Sequence, residues 1–195
     1  MFTKIFSAVI CILFVLMPVS NLFSQDMDKE SEQNKVWMEY MTPGWAHEMM
    51  KKHEGNWKTV NTFWMDPSAD STVVVGNSKI EMILGGRYMK ATHKGVMMGM
   101  PFEGIELDGY DNAKKEFTSV WIDNMGTGIA VSHGKYDKST KTITYTGSMY
   151  DPMAQKDVDV RQTVDLSDDN QIITEMFVTQ ADKEVKVMHI EMTRE

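Results

Sequence analysis

Leu84-Gly85-Gly86-Arg87-Tyr88 begins the stretch of sequence that decides the fold, and its pattern continues to Gly128. Glycines interrupt strand-forming residues here, and single charges stand among aromatic side chains, as in Phe102-Glu103-Gly104 and Trp121-Ile122-Asp123. A glycine within a strand marks a bulge, a bend or a close approach of the backbone. A charge flanked by strand residues must reach water, a partner or a ligand. The stretch therefore predicts a curved sheet with a polar, aromatic-lined face where a ligand can bind.

The same alternation extends on both sides of this stretch. Threonine, valine, isoleucine and aromatic residues dominate ten segments, which is the composition of β-strands. The predicted strands are 57–64, 71–84, 87–96, 102–110, 116–122, 129–136, 142–149, 158–165, 171–179 and 184–193. Compact polar turns of hairpin length lie between several of them. Since no long helix separates the strands, parallel crossovers are excluded and the sheet must be antiparallel.

An open sheet of about ten meandering strands would leave two unpaired edges, which closure into a barrel removes. The sequence therefore predicts an all-β, antiparallel up-and-down barrel of about ten strands, with a two-sheet sandwich as the alternative. One short helix is predicted over 43–54, because Pro43 stands near its start and Gly55 can cap its end.

The two ends of the predicted barrel carry a closure signature. Gly55-Asn56-Trp57 opens the first strand and Arg194 ends the last. This arrangement is similar to that of lipocalins and other calycins, in which a tryptophan after a glycine packs under a basic residue from the chain end. The similarity implies that Trp57 and Arg194 close the barrel.

The order of several motifs resembles that of the domain-of-unknown-function 1579 family. The matching elements span most of residues 45–195 and are Gly55-Asn56-Trp57, Leu84-Gly85-Gly86-Arg87-Tyr88, Gly109-Tyr110-Asp111, the run 121–128 and Asp151-Pro152. The stretch after the Asp-Pro pair often carries a glycine in this family, whereas this chain has Gln155. The resemblance implies a lipocalin-like bacterial β-barrel and implies no activity.

The N-terminal residues have the pattern of a secretory signal peptide. Lys4 precedes an almost wholly apolar run, followed by Pro18 and small residues. We expect a signal peptide over 1–24 with cleavage near Ser24, a polar leader over 25–42 and a single barrel domain over 43–195. The chain is then expected in the periplasm or outside the cell, without a stable membrane anchor after cleavage. An uncleaved anchor is the alternative.

Charge and cysteine content exclude several classes of partner and chemistry. The net charge is −8, which argues against nucleic acid and anionic membranes as partners. The one cysteine, Cys11, lies in the predicted signal peptide, so the mature domain would have neither disulfide nor thiol nucleophile. There is no Gly-x-Ser-x-Gly motif for a serine nucleophile.

No metal or cofactor site is expected. The five histidines are scattered without ligand spacing, and only His93 and His189 stand where they could point into a barrel. Methionine clusters such as 97–100 are typical of Cu(I) sites. The scarcity of leucine after Ser24, however, favours methionine as a general core filler.

The ligand-binding candidates are polar and aromatic residues of the predicted strands. Alternation places Trp121 and Asp123 on one face, where a stacking wall and an orienting acceptor would meet. The full set of candidates is Arg87, Tyr110, Trp121, Asp123, Arg161 and His189. A salt bridge from Arg87 or Arg161 to Asp123 is expected. A purely architectural role for these residues is the alternative.

The leading functional expectation is non-covalent binding of a small apolar or amphipathic molecule in the barrel. One alternative is an enzyme that uses a carboxylate pair or a carboxylate–histidine pair in the same cavity. The carboxylates available for it are Glu103, Glu106, Asp108, Asp123 and Glu175. A structural or stress-related module without a ligand is the other alternative.

Overall fold

The computed structural model describes residues 20–64, 70–180 and 183–195, with side chains from residue 31 onward. It divides into two compact units, Met1–Glu39 and Tyr40–Glu195. Most of the predicted signal peptide lies outside the described residues. Helix α1 (Ser20–Met41) occupies the segment expected as a polar leader, and it contains the predicted cleavage site after Ser24. Within the described ranges, no helix is long and apolar enough to cross a membrane.

The second unit contains helix α2 and all the described strands, which form one closed antiparallel barrel in up-and-down order. Helix α2 spans Trp45–Lys51. The strands are β1 Gly55–Phe63, β2 Thr72–Ile83, β3 Tyr88–Met97, β4 Met100–Asp111, β5 Glu116–Asp123, β6 Ala130–Asp137, β7 Thr142–Asp151, β8 Lys156–Asp168, β9 Gln171–Gln180 and β10 Lys183–Arg194. Each predicted strand is present within three residues of its expected bounds. The fold prediction is therefore confirmed, and the sandwich alternative is wrong.

Helix α2 plugs one end of the barrel. It begins after Gly44, whose N–H donates to Nδ1 of His47 at 3.0 Å. Its buried residues Ala46 and Met50 pack with Phe117 and other core residues of the strands. We call this end of the barrel, where β1 begins and β10 ends, the plugged end, and the opposite end the far end.

Closure of the barrel depends on β1 and β10, which pair with Trp57 opposite Arg194. Trp57 is fully buried, and its Nε1 donates to the carbonyl of His53 at 3.0 Å. The Arg194 guanidinium lies 4.4 Å from the centre of the Trp57 ring. It also donates to the carbonyls of Lys52 and Glu54 at 2.7 Å each and to that of Asp169. The contact expected from the closure signature is present.

Gln155, which stands in a stretch where the sequence resemblance led us to expect a glycine, lies in the turn between β7 and β8. Its φ is +52°, in the left-handed region that glycine adopts without a Cβ penalty. The turn between β7 and β8 is thus closed by a residue in a less favourable conformation, and the hydrogen bonds from Met153 and Ala154 N–H to Asp151 Oδ1 hold that turn.

Arg194→Ala is expected to lower the free energy of unfolding by about 2 kcal/mol, because it removes a cation–π contact and charge-assisted hydrogen bonds. Arg194→Lys keeps the charge but not the planar set of donors, so its free energy of unfolding should lie between those of the wild type and Arg194→Ala. Urea denaturation followed by tryptophan fluorescence measures both. Equal midpoints for all three proteins would contradict this role.

Candidate functional site

A cavity of about 60 Å³ lies inside the barrel, between α2 and the strands. Most of its wall is apolar. Members of this apolar wall include Met49, Met50, Ile80, Met89, Ala91, Phe117, Ile143, Val164, Leu166, Ile172 and Met192. A smaller polar part consists of His53, His93, Glu106, Asp108, Tyr145 and Thr174. The cavity is therefore amphipathic, with carboxyl groups in an otherwise apolar surrounding.

Two carboxyl groups of strand β4 lie on the unexpected face. Glu106 and Asp108 point into the barrel, whereas their neighbours Ile105 and Leu107 point outward, which inverts the usual pattern. Asp108 is only 6 % exposed. Burying carboxyl groups while apolar residues are available next to them is unfavourable for folding alone. Such a departure from patterning is typical of functional positions.

A chain of polar contacts surrounds Glu106. The Ser119 hydroxyl donates to its Oε1 at 3.2 Å, and Nε2 of His93 lies 3.7 Å from its Oε2. Ser78 Oγ lies 2.6 Å from Nδ1 of His93. The carboxylate beside Nε2 favours the tautomer with its proton there, so that Ser78 donates to Nδ1. Strands β2, β3, β4 and β5 each contribute one member of this chain.

Three buried side-chain atoms of the described residues have no hydrogen-bond partner: Nε2 of His53, Nε2 of His93 and Oδ1 of Asp108. All three belong to residues that line the cavity. Nδ1 of His53 lies 3.0 Å from the carbonyl of Met49 and must be the donor there, so its Nε2 is an acceptor when the ring is neutral. Unpaired buried polar atoms are rare, and here they share one cavity.

Burial and charge alter the ionisation of these groups. Burial raises the pKa of Asp108 well above its ordinary value, and the charge of Glu106 adds to this effect against the opposing Ser119 hydroxyl. Burial, with the charges of Asp108 and Glu106, also raises the pKa of Tyr145. Burial lowers the pKa of His53 and keeps the ring neutral at pH 7. The raised pKa favours the protonated form of Asp108 next to Glu106.

Trp121 and Asp123 share the inner face of β5, as predicted from alternation, on the far-end side of the cavity. Trp121 Nε1 donates to Asp123 Oδ2 at 2.7 Å, and its ring lies 5.3 Å from the ring of His93. The other oxygen, Oδ1 of Asp123, accepts from the N–H groups of Met125 and Gly126. Asp123 thus fixes Trp121 and the following loop. The expected salt bridge from an arginine to Asp123 is wrong.

The arginines have other partners. Arg87 lies in the turn between β2 and β3 at the plugged end and donates to the carbonyls of Leu84 and Met41. Arg161 points outward and makes a bidentate salt bridge to Glu184, with both distances at 2.7 Å. Neither arginine lines the cavity.

Tyr110 and His189 are also outside the cavity lining. Tyr110 points inward at the plugged end, with its ring 4.8 Å from that of Phe117. His189 lies on the outer surface, between Glu175 and Glu191. In the part of the chain that the structure describes, no group of three His, Cys, Asp or Glu residues is arranged to hold a metal ion.

Sequence reasoning therefore pointed to the barrel interior, but none of the six selected candidates lines the cavity. His93, Glu106 and Asp108 were recognised as chemically capable residues, and the six selected candidates did not include them. His53 and Ser78 were missed. The available signal was the inverted alternation of β4, in which carboxylates replace apolar residues on the face that carries Gly104 and Tyr110.

Fold and cavity together define a lipocalin-like protein: a closed antiparallel barrel with a plugging helix and an interior cavity. The sequence pattern of the family described as "Protein of unknown function (DUF1579)" matches residues 42–194. The chain belongs to that family, and the family prediction is confirmed.

A solved structure with a similar fold is known. The crystal structure of Rv2717c from M. tuberculosis has a TM-score of 0.59 and 11 % identity, covering 79 % of this chain and 99 % of that chain. At this identity the likeness shows the fold alone. A redesigned β-barrel matches with a TM-score of 0.38 and 14 % identity over 75 % of this chain and 95 % of its own. A TM-score this low does not establish a shared fold. A comparison with curated proteins found no match.

Gly104→Ala is expected to destabilise the fold by about 1–3 kcal/mol through overpacking. A Cβ there would lie 2.6 Å from Cη2 of Trp121, so the ring must move. Gly126→Ala is the matched control, since nothing lies within 4 Å of its added methyl group. Urea denaturation and the tryptophan emission maximum measure the effect. Equal stability of the two variants would mean that Trp121 does not pack on Gly104.

Asp108→Asn is expected to raise the melting temperature, and by more at pH 8 than at pH 5. The folded protein holds the pKa of Asp108 above its ordinary value of 3.8, so it retains a proton that the unfolded chain loses. Wild-type stability therefore falls as pH rises between these two pKa values, and the asparagine variant lacks this loss. Differential scanning calorimetry across that pH range measures it. A pH-independent difference would contradict a neutral, buried Asp108.

Proposed function

We propose that this protein binds a small, partly apolar ligand inside the barrel. The polar group of the ligand would meet Glu106 and Asp108, and its apolar part would lie against the methionine and aliphatic wall. The observation that carries this proposal is the location of the three unpaired buried atoms, all on residues that line one cavity.

The energetic argument starts from those atoms. Each buried polar group without a partner costs about 1–3 kcal/mol of stability. The cavity is wide enough for something to pair with them, because a site needs only about 10–15 Å³ to hold one water. Water would pair only with these polar atoms. A ligand with polar and apolar parts would pair with them and would also make van der Waals contacts with the apolar wall.

The size of the cavity limits the ligand. Drug-sized ligands occupy pockets of about 300–1,000 Å³. At about 60 Å³ this cavity suits a molecule of a few non-hydrogen atoms. Four methionines in its wall, Met49, Met50, Met89 and Met192, can adjust their side chains to the shape of a ligand. We propose the periplasm or the cell exterior as the place of binding, because of the predicted signal peptide.

Selective methyl labelling of methionine tests the proposal directly. In NMR spectra, 1-butanol should shift the methyl signals of the four cavity methionines and leave those of Met98 and Met153 unchanged. The latter two are 74 % and 92 % exposed and serve as internal controls. Uniform shifts, or none, would contradict binding in the cavity.

A pair of variants on β3 distinguishes binding of 1-butanol in the cavity from binding elsewhere on the barrel. Ala91 is 1 % exposed and lines the cavity, so Ala91→Val should fill part of it and weaken 1-butanol binding at least about tenfold. Thr92→Val changes the next, outward-facing residue and should bind 1-butanol as the wild type does. Equal binding by both variants would place the probe elsewhere.

A further inference from the structure

We infer that the ligand of this cavity is a small primary alkylammonium ion, held by Glu106 and Asp108 with its alkyl chain against the methionine wall. The inference rests on the proposed function and specifies its chemistry. Three features of the cavity support this inference: its acidic lining, its unpaired hydrogen-bond acceptors, and its apolar and aromatic wall.

The charge of the lining is acidic. It contains the carboxyl groups of Glu106 and Asp108, and no lysine or arginine is among the lining residues. His53 is held neutral by burial, which lowers its pKa. A fatty acid or another anion would therefore enter without a cationic partner and beside a carboxylate. A cation would instead stabilise the ionised form of both carboxyl groups.

Two of the three unpaired atoms favour a ligand rich in donors. Nε2 of His53 is an acceptor, and Oδ1 of Asp108 is an acceptor when the carboxyl is ionised, whereas Nε2 of His93 directs its proton towards Glu106. Nε2 of His93 lies 3.7 Å from Oε2 of Glu106, beyond hydrogen-bond distance. An ammonium group has three donors and no acceptor, whereas an alcohol has one donor. The acceptors on the cavity wall match the ammonium better.

The wall suits the alkyl part and the cation together. Phe117 and Tyr145 are 1 % and 2 % exposed and line the cavity, so their rings can contribute cation–π attraction in a desolvated site. The volume admits a molecule of about five non-hydrogen atoms at roughly one water-sized position each. n-Butylammonium has this size and is the probe of choice.

Binding of the cation should release a proton. Without ligand, burial raises the pKa of Asp108 well above its ordinary value and so favours the neutral acid. The titratable groups that face it are Glu106 on β4, His93 on β3, Tyr145 on β7 and His53 on α2. An ammonium ion stabilises the carboxylate form of Asp108, whose proton passes to solvent. Affinity should therefore increase from pH 5 to pH 8.

The experiment compares three probes of equal chain length on the full chain: n-butylammonium, 1-butanol and butyrate. Isothermal titration calorimetry in phosphate and in HEPES, neither of which is a primary amine, gives affinities and, from the difference in heat, the number of protons released. Methionine-methyl NMR shows whether each probe enters the cavity. At pH 7 we expect n-butylammonium to bind at least about tenfold more tightly than 1-butanol, with proton release for the ammonium alone, and butyrate not to bind.

Variants assign the effect to the carboxyl groups. Asp108→Asn and Glu106→Gln should each weaken n-butylammonium at least about tenfold and 1-butanol much less, and Asp108→Asn should also abolish proton release. Glu175→Gln is the control, because Glu175 lies on the outer surface in a salt bridge to Lys186. The methyl spectrum of each variant verifies that it is folded.

The outcomes separate the two proposals. Cavity binding of 1-butanol as tight as that of n-butylammonium would overturn the ammonium inference and support the proposed function. Tighter binding of butyrate would also overturn the inference. If none of the probes shifts the cavity methyl groups, both the inference and the proposed function fail.

Discussion

Pairing of β1 with β10 is the constraint on which the rest of the structure depends. It joins the first and last strands of the sheet, which lie more than a hundred residues apart in the chain, and leaves no edge unpaired. Arg194 fixes this seam by covering Trp57 and by binding carbonyls of the segment after α2. The same contacts hold His53 in place, because Trp57 donates to the His53 carbonyl. The β1–β10 pairing, helix α2 and the part of the cavity wall that contains His53 are therefore directly connected.

A barrel of this width must either fill its interior or leave a cavity. This chain fills the plugged end with Phe117, Tyr145 and the side chains of α2, and the far-end side of the cavity carries the Trp121 and His93 rings. Between them it buries Glu106 and Asp108, at a cost in stability that apolar residues would have avoided. The proposed function accounts for this cost, since a ligand would supply the missing partners.

Much of the fold was predictable because it is encoded locally. Period-two patterning and hairpin-length turns predict each strand. The pairing of β1 with β10 is predicted by Gly55, Trp57 and Arg194. The helical segment before Pro43 was not predicted, since its sequence is polar and lacks an apolar period. Gln155 shows a subtler limit: the sequence reveals the departure from glycine, and only the structure reveals the left-handed backbone that makes glycine favourable there.

The site was less predictable because it depends on which face of each strand turns inward. On β4 the apolar residues Ile105 and Leu107 face outward, so hydrophobic patterning assigns the wrong side to Glu106 and Asp108. On β10 a bulge between Lys186 and Met188 changes the alternation, so His189 points outward although Val185 and Val187 suggest otherwise. The contact of Ser78 with His93 depends on the register between β2 and β3, which follows from the paired strands and not from sequence spacing.

The central claim is that the unpaired polar atoms of the cavity exist to meet a ligand. A high-resolution crystal structure of the full chain, purified from its native host without denaturation, tests this most directly. The account predicts ordered non-protein density inside the barrel, within hydrogen-bond distance of Asp108 Oδ1 and in contact with the methionine wall. A cavity closed by its own side chains, with Asp108 and His53 paired to protein groups, would contradict it.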